Sequence, residues 1–251
     1  MELVQSALKI DAIDLHYREL NARLRQAVEQ GVSRIDLCNV YGQRYLGTDL
    51  CQPIEIHIHG TPGNDLAAFM DGPRIVVHGN AQDGCGNTMN DGEVIIHGRA
   101  GDLTGHSMRG GKIFIRDDVG YRVGIHMKEY QDKCPMIVIG GTAQHFLGEY
   151  MAGGVLLVLG LTLKSGARHK ANFIGTGMHG GVIYVQGELN DYQLGKEVGA
   201  VPLEATDKQL VRGLVQEYAA HFDRDPEMIL NKPFTKLIPL SRRPYGLLYA
   251  Y

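Results

Sequence analysis

Residues 86–98 read GNTMNDGEVIIHG, and this combination of glycines, a methionine and a short β-branched run recurs along the chain. Segments of the form G-x-x-M-x-G-G, or close to it, occupy residues 66–72, 86–92, 105–111, 148–154 and 175–181. A sixth copy begins at Gly124 and is interrupted after Met127. Each copy is followed by a run rich in valine and isoleucine, which is typical of a β-strand.

The spacing of the repeat predicts the fold. Gly60, Gly79 and Gly98 lie 19 residues apart, with one strong strand in each interval. Antiparallel hairpins would place two strands in each period, whereas one strand and a longer connection fit a chain that winds once around a solenoid. We therefore predict an all-β solenoid, a right-handed parallel β-helix of about seven coils with flanking N- and C-terminal helices.

The flanking segments carry helix signals. In residues 14–31 the apolar residues share one face, and we expect Asp14 to cap this helix and Gly31 to end it. A capping-box pattern from Thr206 to Gln209 predicts a second helix that runs to about His221. Asp225 followed by a proline predicts a short third helix.

The last twenty residues form a basic, aromatic tail without helical periodicity. The tail either packs on the body of the protein as a strand or grips a partner as an arm, and the sequence leaves both open. We divide the chain into an N-terminal helical segment (1–32), the β-helix (33–190), and C-terminal helices with the tail (191–251).

The repeat also assigns inward-facing residues to each coil. Glycines supply the left-handed conformations that the corners need, and flexible methionines suit the irregular space between coils. The methionines are expected to stack as an internal ladder. The residues three places before the last glycine of each motif, which this alignment puts in one position, are Phe69, Met89, Met108, Met151 and Met178.

Two rows of residues alternate along the strands. One row is expected to face the core and contains the pairs Ile56/Ile58, Ile75/Val77, Val94/Ile96, Ile113/Ile115, Leu156/Val158 and Ile183/Val185. The intervening residues, called the outer row here, would be polar if they faced water. Because the outer row is almost entirely apolar, either the chain's own helices or another protein must cover it. The outer row consists of His57, Val76, Ile95, Phe114, Ile137, Leu157 and Tyr184.

Three histidines occupy one position in consecutive coils. We expect His59, His78 and His97 to stack on the outer face. A zinc site is the alternative, but side chains about 4.8 Å apart in a straight row suit tetrahedral coordination poorly. The four cysteines are widely spaced and predict free thiols in a reducing compartment; they are Cys38, Cys51, Cys85 and Cys134.

Composition and charge exclude several classes of partner. The formal net charge of −3 gives no indication of a nucleic-acid or membrane-surface partner. The N-terminal residues lack the pattern of a signal peptide, and no apolar run approaches the length of a membrane span. We therefore expect a cytoplasmic protein. Homo-oligomerisation is left open.

Several of these segments resemble a known family. Besides the repeated motifs, the chain contains three further segments that matter for this resemblance. They are NVYGQRYLG at residues 39–47, ANFIGTGMHGGVIYV at 171–185 and, after the predicted late helix, FTKLIPL at 234–240. Together they resemble the C-terminal β-helix domain, or GXGXG domain, of the glutamate synthase large subunit, standing alone as its own polypeptide. The resemblance covers most of the chain.

The resemblance implies a function that depends on shape. In that family the domain holds the glutamine amidotransferase domain and the FMN-bearing synthase domain in position and contributes no catalytic residue. We accordingly expect a scaffold subunit of a split glutamate synthase, with amidotransferase and FMN-dependent synthase subunits as partners. FMN and an iron–sulfur cluster are expected in a partner, and no catalytic, cofactor-binding or metal-binding residue is assigned to this chain.

Two alternatives to this function remain at this point. The same domain type occurs in formylmethanofuran dehydrogenase and in relatives of N-methylglutamate synthase, so the chain could serve as the β-helix subunit of such a complex. The second alternative is an independent metalloenzyme that uses His59, His78 and His97.

Overall fold

The computed structural model describes residues 7–240 and is dominated by one β-sheet. The elements are β1 (Leu8–Asp11), α1 (Tyr17–Glu29), β2 (Arg34–Tyr41), β3 (Glu55–Thr61), β4 (Asp71–His78), β5 (Asp91–Ile96), β6 (Lys112–Ile115), β7 (Met136–Ile139), β8 (Ala152–Val158), β9 (Gly180–Gln186), a 3-10 turn (Asp191–Gln193), β10 (Val198–Val201), α2 (Ala205–Phe222), α3 (Pro226–Leu230) and β11 (Phe234–Pro239).

Successive strands of the sheet pair in parallel from β1 to β9, each with the next strand along the chain. Parallel neighbours in sequence order are what a solenoid produces, so the predicted fold class is confirmed. The regular part comprises about six turns, slightly fewer than the expected seven coils. A coil with a register shift between Leu37 and Val40 precedes these turns.

The interior of the solenoid contains the predicted core row and a ladder of methionines. Ile75 pairs with Ile56 and Val94, and all three are fully buried. The alignment of Phe69 with the methionines of the other motifs is wrong, because Met70 is fully buried and Phe69 is 48% exposed. In the first motif one residue fewer separates the methionine from the last glycine. Ala67 therefore stands where the other motifs have their first glycine. The ladder consists of Met70, Met89, Met108, Met127, Met151 and Met178.

Each coil turns through three left-handed residues at alternate positions. In one coil these are Phe146, Gly148 and Tyr150, with φ of 65°, 67° and 52°. Phe146 and Tyr150 donate their N–H groups to the following coil, at 2.9 and 2.8 Å, and Gly148 donates to Val123 of the preceding coil at 2.8 Å. The alternation therefore satisfies backbone donors in both directions along the solenoid.

Helix α1 closes the N-terminal end of the solenoid. Asn21 Nδ2 donates to the Arg44 carbonyl at 2.9 Å, while Leu20 and Leu24 are buried against the core. The predicted cap at Asp14 is wrong, because His16 is the N-cap and its Nδ1 accepts from the N–H of Arg18. Gly31 follows the C-cap with φ of 78°, so the predicted end of the helix is confirmed.

Helix α2 covers the outer row from Val76 onward, and His57 lies outside this contact, which answers the question that the sequence left open. One apolar face of the helix packs on the strands from β4 to β9. The prediction of Ile137 in the outer row is wrong, since Ile137 is in the core and Val138 takes its place in register with Phe114 and Leu157. The contact joins Val76, Ile95, Phe114, Val138, Leu157 and Tyr184 to Val211, Leu214, Val215, Tyr218 and Phe222.

Polar contacts fix α2 at its N-terminal end. The helix is capped by Glu204 with Asp207, rather than by the predicted Thr206 and Gln209 pair. Asp207 also accepts from Tyr184 Oη at 2.5 Å and from Lys236 Nζ at 2.7 Å. These bonds connect the helix to β9 and β11, so the cover and the sheet edge are held together.

The remaining C-terminal elements complete the sheet. The predicted short helix after Asp225 is confirmed as α3, with Asp225 accepting from the N–H of Glu227. The early part of the basic, aromatic tail forms β11, which pairs antiparallel with β9 and β10. Residues 241–251 of the tail lie outside the described residues, so the alternative in which they form an arm stays a prediction.

Candidate functional site

The predicted stack of histidines forms on the outer face of the sheet. His59 and His78 have ring centroids 4.6 Å apart with planes 9° from parallel, and His78 and His97 are 5.5 Å apart at 17°. His57 joins this group, with its Nδ1 2.9 Å from Nε2 of His78. The stack lies beside the C-terminal end of α2, where the Phe222 ring meets His97 edge-on.

Carboxylates and an arginine surround the histidine stack. Glu55 Oε1 lies 2.5 Å from Nε2 of His57, and Arg74 joins Glu55 to Glu93 at 3.1 and 2.8 Å. The hydrogen bond from His57 lowers the pKa of Glu55 below its usual range. Burial and the neighbouring imidazoles lower the pKa of His78. These two shifts favour a neutral imidazole at His78 and an ionised carboxylate at Glu55.

The stack does not offer a metal centre in the described residues. Between residues 7 and 240, no three histidine, cysteine, aspartate or glutamate side chains are grouped so that they could hold a metal ion. Parallel rings stacked face to face direct their nitrogen atoms alongside one another, and not toward a common point. The metalloenzyme alternative therefore has no support from this geometry.

A second surface carries exposed and half-buried aromatic rings on the turns of the last coils. It is called the aromatic stripe here and consists of Tyr121, His126, His145, Phe146, Tyr150 and Phe173. Phe146 stacks on Phe173 at 4.9 Å and His126 on Tyr150 at 5.3 Å, each pair with nearly parallel planes. Tyr121, Tyr150 and Phe173 are 44, 46 and 49% exposed.

An arginine extends the aromatic stripe. The guanidinium of Arg122 lies 5.0 Å from the centroid of the Phe146 ring, within the range of a cation–π contact. It also pairs with the buried carboxylate of Glu149 at 3.0 Å. The stripe thus combines flat apolar rings with a cation, which is the composition of many protein recognition surfaces.

The aromatic stripe was not predicted from the sequence, although the sequence contains a signal for it. Phe146 and Phe173 each stand two residues before the glycine of a repeat motif, and Tyr150 stands two residues after one. An aromatic residue that recurs at a fixed place in the repeat must recur on one side of the solenoid.

The described helices give no indication of a membrane span. None of those within residues 7–240 is both long enough and apolar enough to cross a bilayer.

Comparison with known proteins agrees with the fold. Residues 27–240 match the sequence model of the family described as GXGXG motif. The chain is also similar to an uncharacterized protein of Methanocaldococcus jannaschii, with 47% identity over 249 residues that cover 96% of this chain and 95% of that protein. The repeat, the solenoid and the extent of the match together show that the chain belongs to the GXGXG motif family, the family of the glutamate synthase C-terminal β-helix.

Proposed function

We propose that this chain is a non-catalytic scaffold subunit of a glutamate synthase-like complex. Its role would be to hold a glutamine amidotransferase subunit and an FMN- and iron–sulfur-containing synthase subunit at a fixed separation. The observation that carries the proposal is the GXGXG match over residues 27–240. In the glutamate synthase that the chain resembles, a domain of this family positions its neighbours and supplies no catalytic group.

The physical properties of the solenoid support such a role. Every coil is hydrogen-bonded to the coil on each side, as in the turn of Phe146 and Gly148. Met108 and its counterparts in the ladder are fully buried, so the interior leaves little room for bending. A rigid body between two active sites would keep the distance between them constant, and ammonia released at one site could then reach the other efficiently.

Reconstitution of the complex tests the proposal. The chain would be co-expressed with the amidotransferase and synthase subunits of its source organism, and each of the three would also be purified alone. We expect one stable complex with glutamine-dependent glutamate synthesis, and neither glutaminase nor synthase activity from this chain by itself. Activity of the isolated chain, or a two-subunit enzyme that is fully active without it, would contradict the proposal. If the chain assembled with formylmethanofuran dehydrogenase subunits instead, the scaffold role would stand, but the proposed glutamate synthase-like complex would be wrong.

A further inference from the structure

The sheet has an open edge at its N-terminal end. Strand β1 comes first in the strand order and, within the described residues, pairs on one side only, with β2. Helix α1 closes the core at this end but leaves the strand edge open, because a groove of about 330 Å³ separates β1 from Arg23 and Gln26 of the helix. The unpaired main-chain groups of such an edge can receive another strand.

The backbone of β1 determines which residues would bind an added strand. The N–H of Ala12 donates to the Cys38 carbonyl of β2 at 2.9 Å. Main-chain groups of alternate residues in a strand point the same way, so those of Ile10 also face β2. The N–H and carbonyl groups of Lys9 and Asp11 therefore face outward.

The charges of β1 distinguish between the ways in which two copies of this strand could pair. Outward-facing residues meet in an antiparallel pair centred on Lys9, on Ile10 or on Asp11. The first places Lys9 opposite Lys9 and the last places Asp11 opposite Asp11, and like charges directly opposite are destabilising. Only the register centred on Ile10 places Lys9 opposite Asp11, twice by symmetry. The strand at the other end of the sheet order, β10, contains no charged residue and favours no single register.

The side chains of β1 are available for this pairing. Lys9 and Asp11 are both exposed. One carboxylate oxygen of Asp11, Oδ1, accepts from Asn39 at 2.9 Å and from the N–H of Ile13 at 3.0 Å, which leaves Oδ2 for a lysine.

The charged groups beside β1 are already paired within the chain. Asp36 lies next to Lys9 on β2 and pairs with Arg34 at 3.3 Å. Arg23, on the opposite wall of the groove, pairs with Glu19 at 2.7 Å. These neighbours therefore compete little with the pairing of Lys9 and Asp11 between two copies.

We propose that β1 pairs antiparallel with β1 of a second copy of this chain, with Ile10 at the two-fold axis. Each Lys9 and the Asp11 opposite it would exchange both of their main-chain hydrogen bonds. The inward-facing Ile10 of the second copy would enter the groove between β1 and α1, next to Ala27. A strand pair of this length is a small interface, so we expect a weak dimer that depends on concentration. This inference goes beyond the proposed function and does not depend on it.

The test reverses one charge at a time in the full chain. Lys9→Asp and Asp11→Lys each place like charges opposite one another in both pairs. We expect each to raise the dissociation constant of the dimer at least about tenfold, measured by sedimentation velocity over a range of concentrations. An equimolar mixture of the two variants restores opposite charges at both positions and should form a heterodimer, which native mass spectrometry identifies. Lys208→Asp is the matched control, because it makes the same charge change at an exposed position on the first turn of α2.

A backbone variant gives an independent test if Asp11→Lys loses stability with its Asn39 contact. Lys9→Pro removes an outward-facing N–H and leaves the hydrogen bonds between β1 and β2 in place, a position where an edge strand accepts proline. We expect an unchanged melting temperature and no dimer.

The outcomes decide the inference separately from the scaffold function. A wild-type chain that is monomeric at every concentration would overturn it. Dimerisation that survives Lys9→Asp and Lys9→Pro would assign the contact to another surface and overturn it as well. Failure of two folded charge variants to associate when mixed would do the same. An active complex that contains a monomeric chain would refute the dimer alone, whereas a dimer that binds no other subunit would refute the scaffold function alone.

Discussion

Gly148→Ala tests the close stacking of the coils that the repeat imposes. Gly148 has φ of 67°, and a Cβ atom at this position would lie 2.7 Å from Cδ1 of Ile183 and 3.3 Å from Cδ1 of Leu156. Both neighbours belong to the core row and are fully buried. The end of the buried Ile183 side chain would therefore have to shift to admit the new methyl group.

The expected loss of stability has three contributions. A left-handed φ costs a residue with a Cβ atom about 1–2 kcal/mol, and overpacking of a filled core costs about 1–3 kcal/mol. The reduced freedom of alanine in the unfolded chain returns about 0.4–1 kcal/mol. The net prediction is a free energy of unfolding lowered by about 3 kcal/mol.

Gly166→Ala is the matched control for this substitution. Gly166 has φ of 75°, and a Cβ atom at this position would have no neighbouring atom within 4 Å, so only the backbone contributions apply. The control should lose about 1 kcal/mol or less. Urea unfolding followed by circular dichroism would give both values. Equal losses in the two variants would refute the reasoning, because the stacking contact would then contribute nothing.

Three further substitutions probe the covering helix and the histidine stack. Phe114→Ala, under α2, should lower the free energy of unfolding by about 3–5 kcal/mol. The exposed control Tyr192→Ala should change it by no more than about 0.5 kcal/mol. Equal effects of the two substitutions on the urea midpoint would contradict the packing of α2 on Phe114. Asp207→Ala leaves the largely enclosed Lys236 without its acceptor and should cost about 3 kcal/mol by the same assay; an unchanged midpoint would argue against the anchor. His78 has a folded-state pKa below its ordinary 6.5, so its stabilisation is present above that pH and is lost as pH falls through the folded pKa. His78→Gln should flatten the fall in stability on acidification below about pH 6.5, and an unaltered pH profile would contradict this.

The periodic features of this protein could be predicted from its sequence. A period near 19 residues with one strand per interval indicated parallel coils, and the structure pairs β3 with β4 and β4 with β5 in that register. The core row and the histidine stack followed from the same counting. These predictions succeeded because every coil repeats one local geometry, so that a single correct coil fixes its neighbours.

The errors within the repeat arose where its period changes. A shortened first motif displaced the ladder residue from Phe69 to Met70, and the insertion before β7 shifted the outer row from Ile137 to Val138. In both cases the side of the coil depended on counting through an irregular turn, and a slip of one residue moves a side chain to the other face.

Helix α2 could be predicted from the sequence as a helix, but its position on the solenoid could not. Its apolar face fits either a second protein or the strands of its own solenoid, and only contacts between distant parts of the chain decide between them. Lys112 and Glu217 form one such contact at 2.6 Å. Their separation of 105 residues leaves no trace in any local pattern.

We propose that this protein acts by holding its partner subunits together. The most direct measurement compares glutamine-dependent glutamate synthesis by the amidotransferase and synthase subunits with and without this chain, at equal subunit concentrations. We expect coupled synthesis only when the chain is present, with no activity from the chain alone. Equal rates in its absence would contradict the proposed scaffold role.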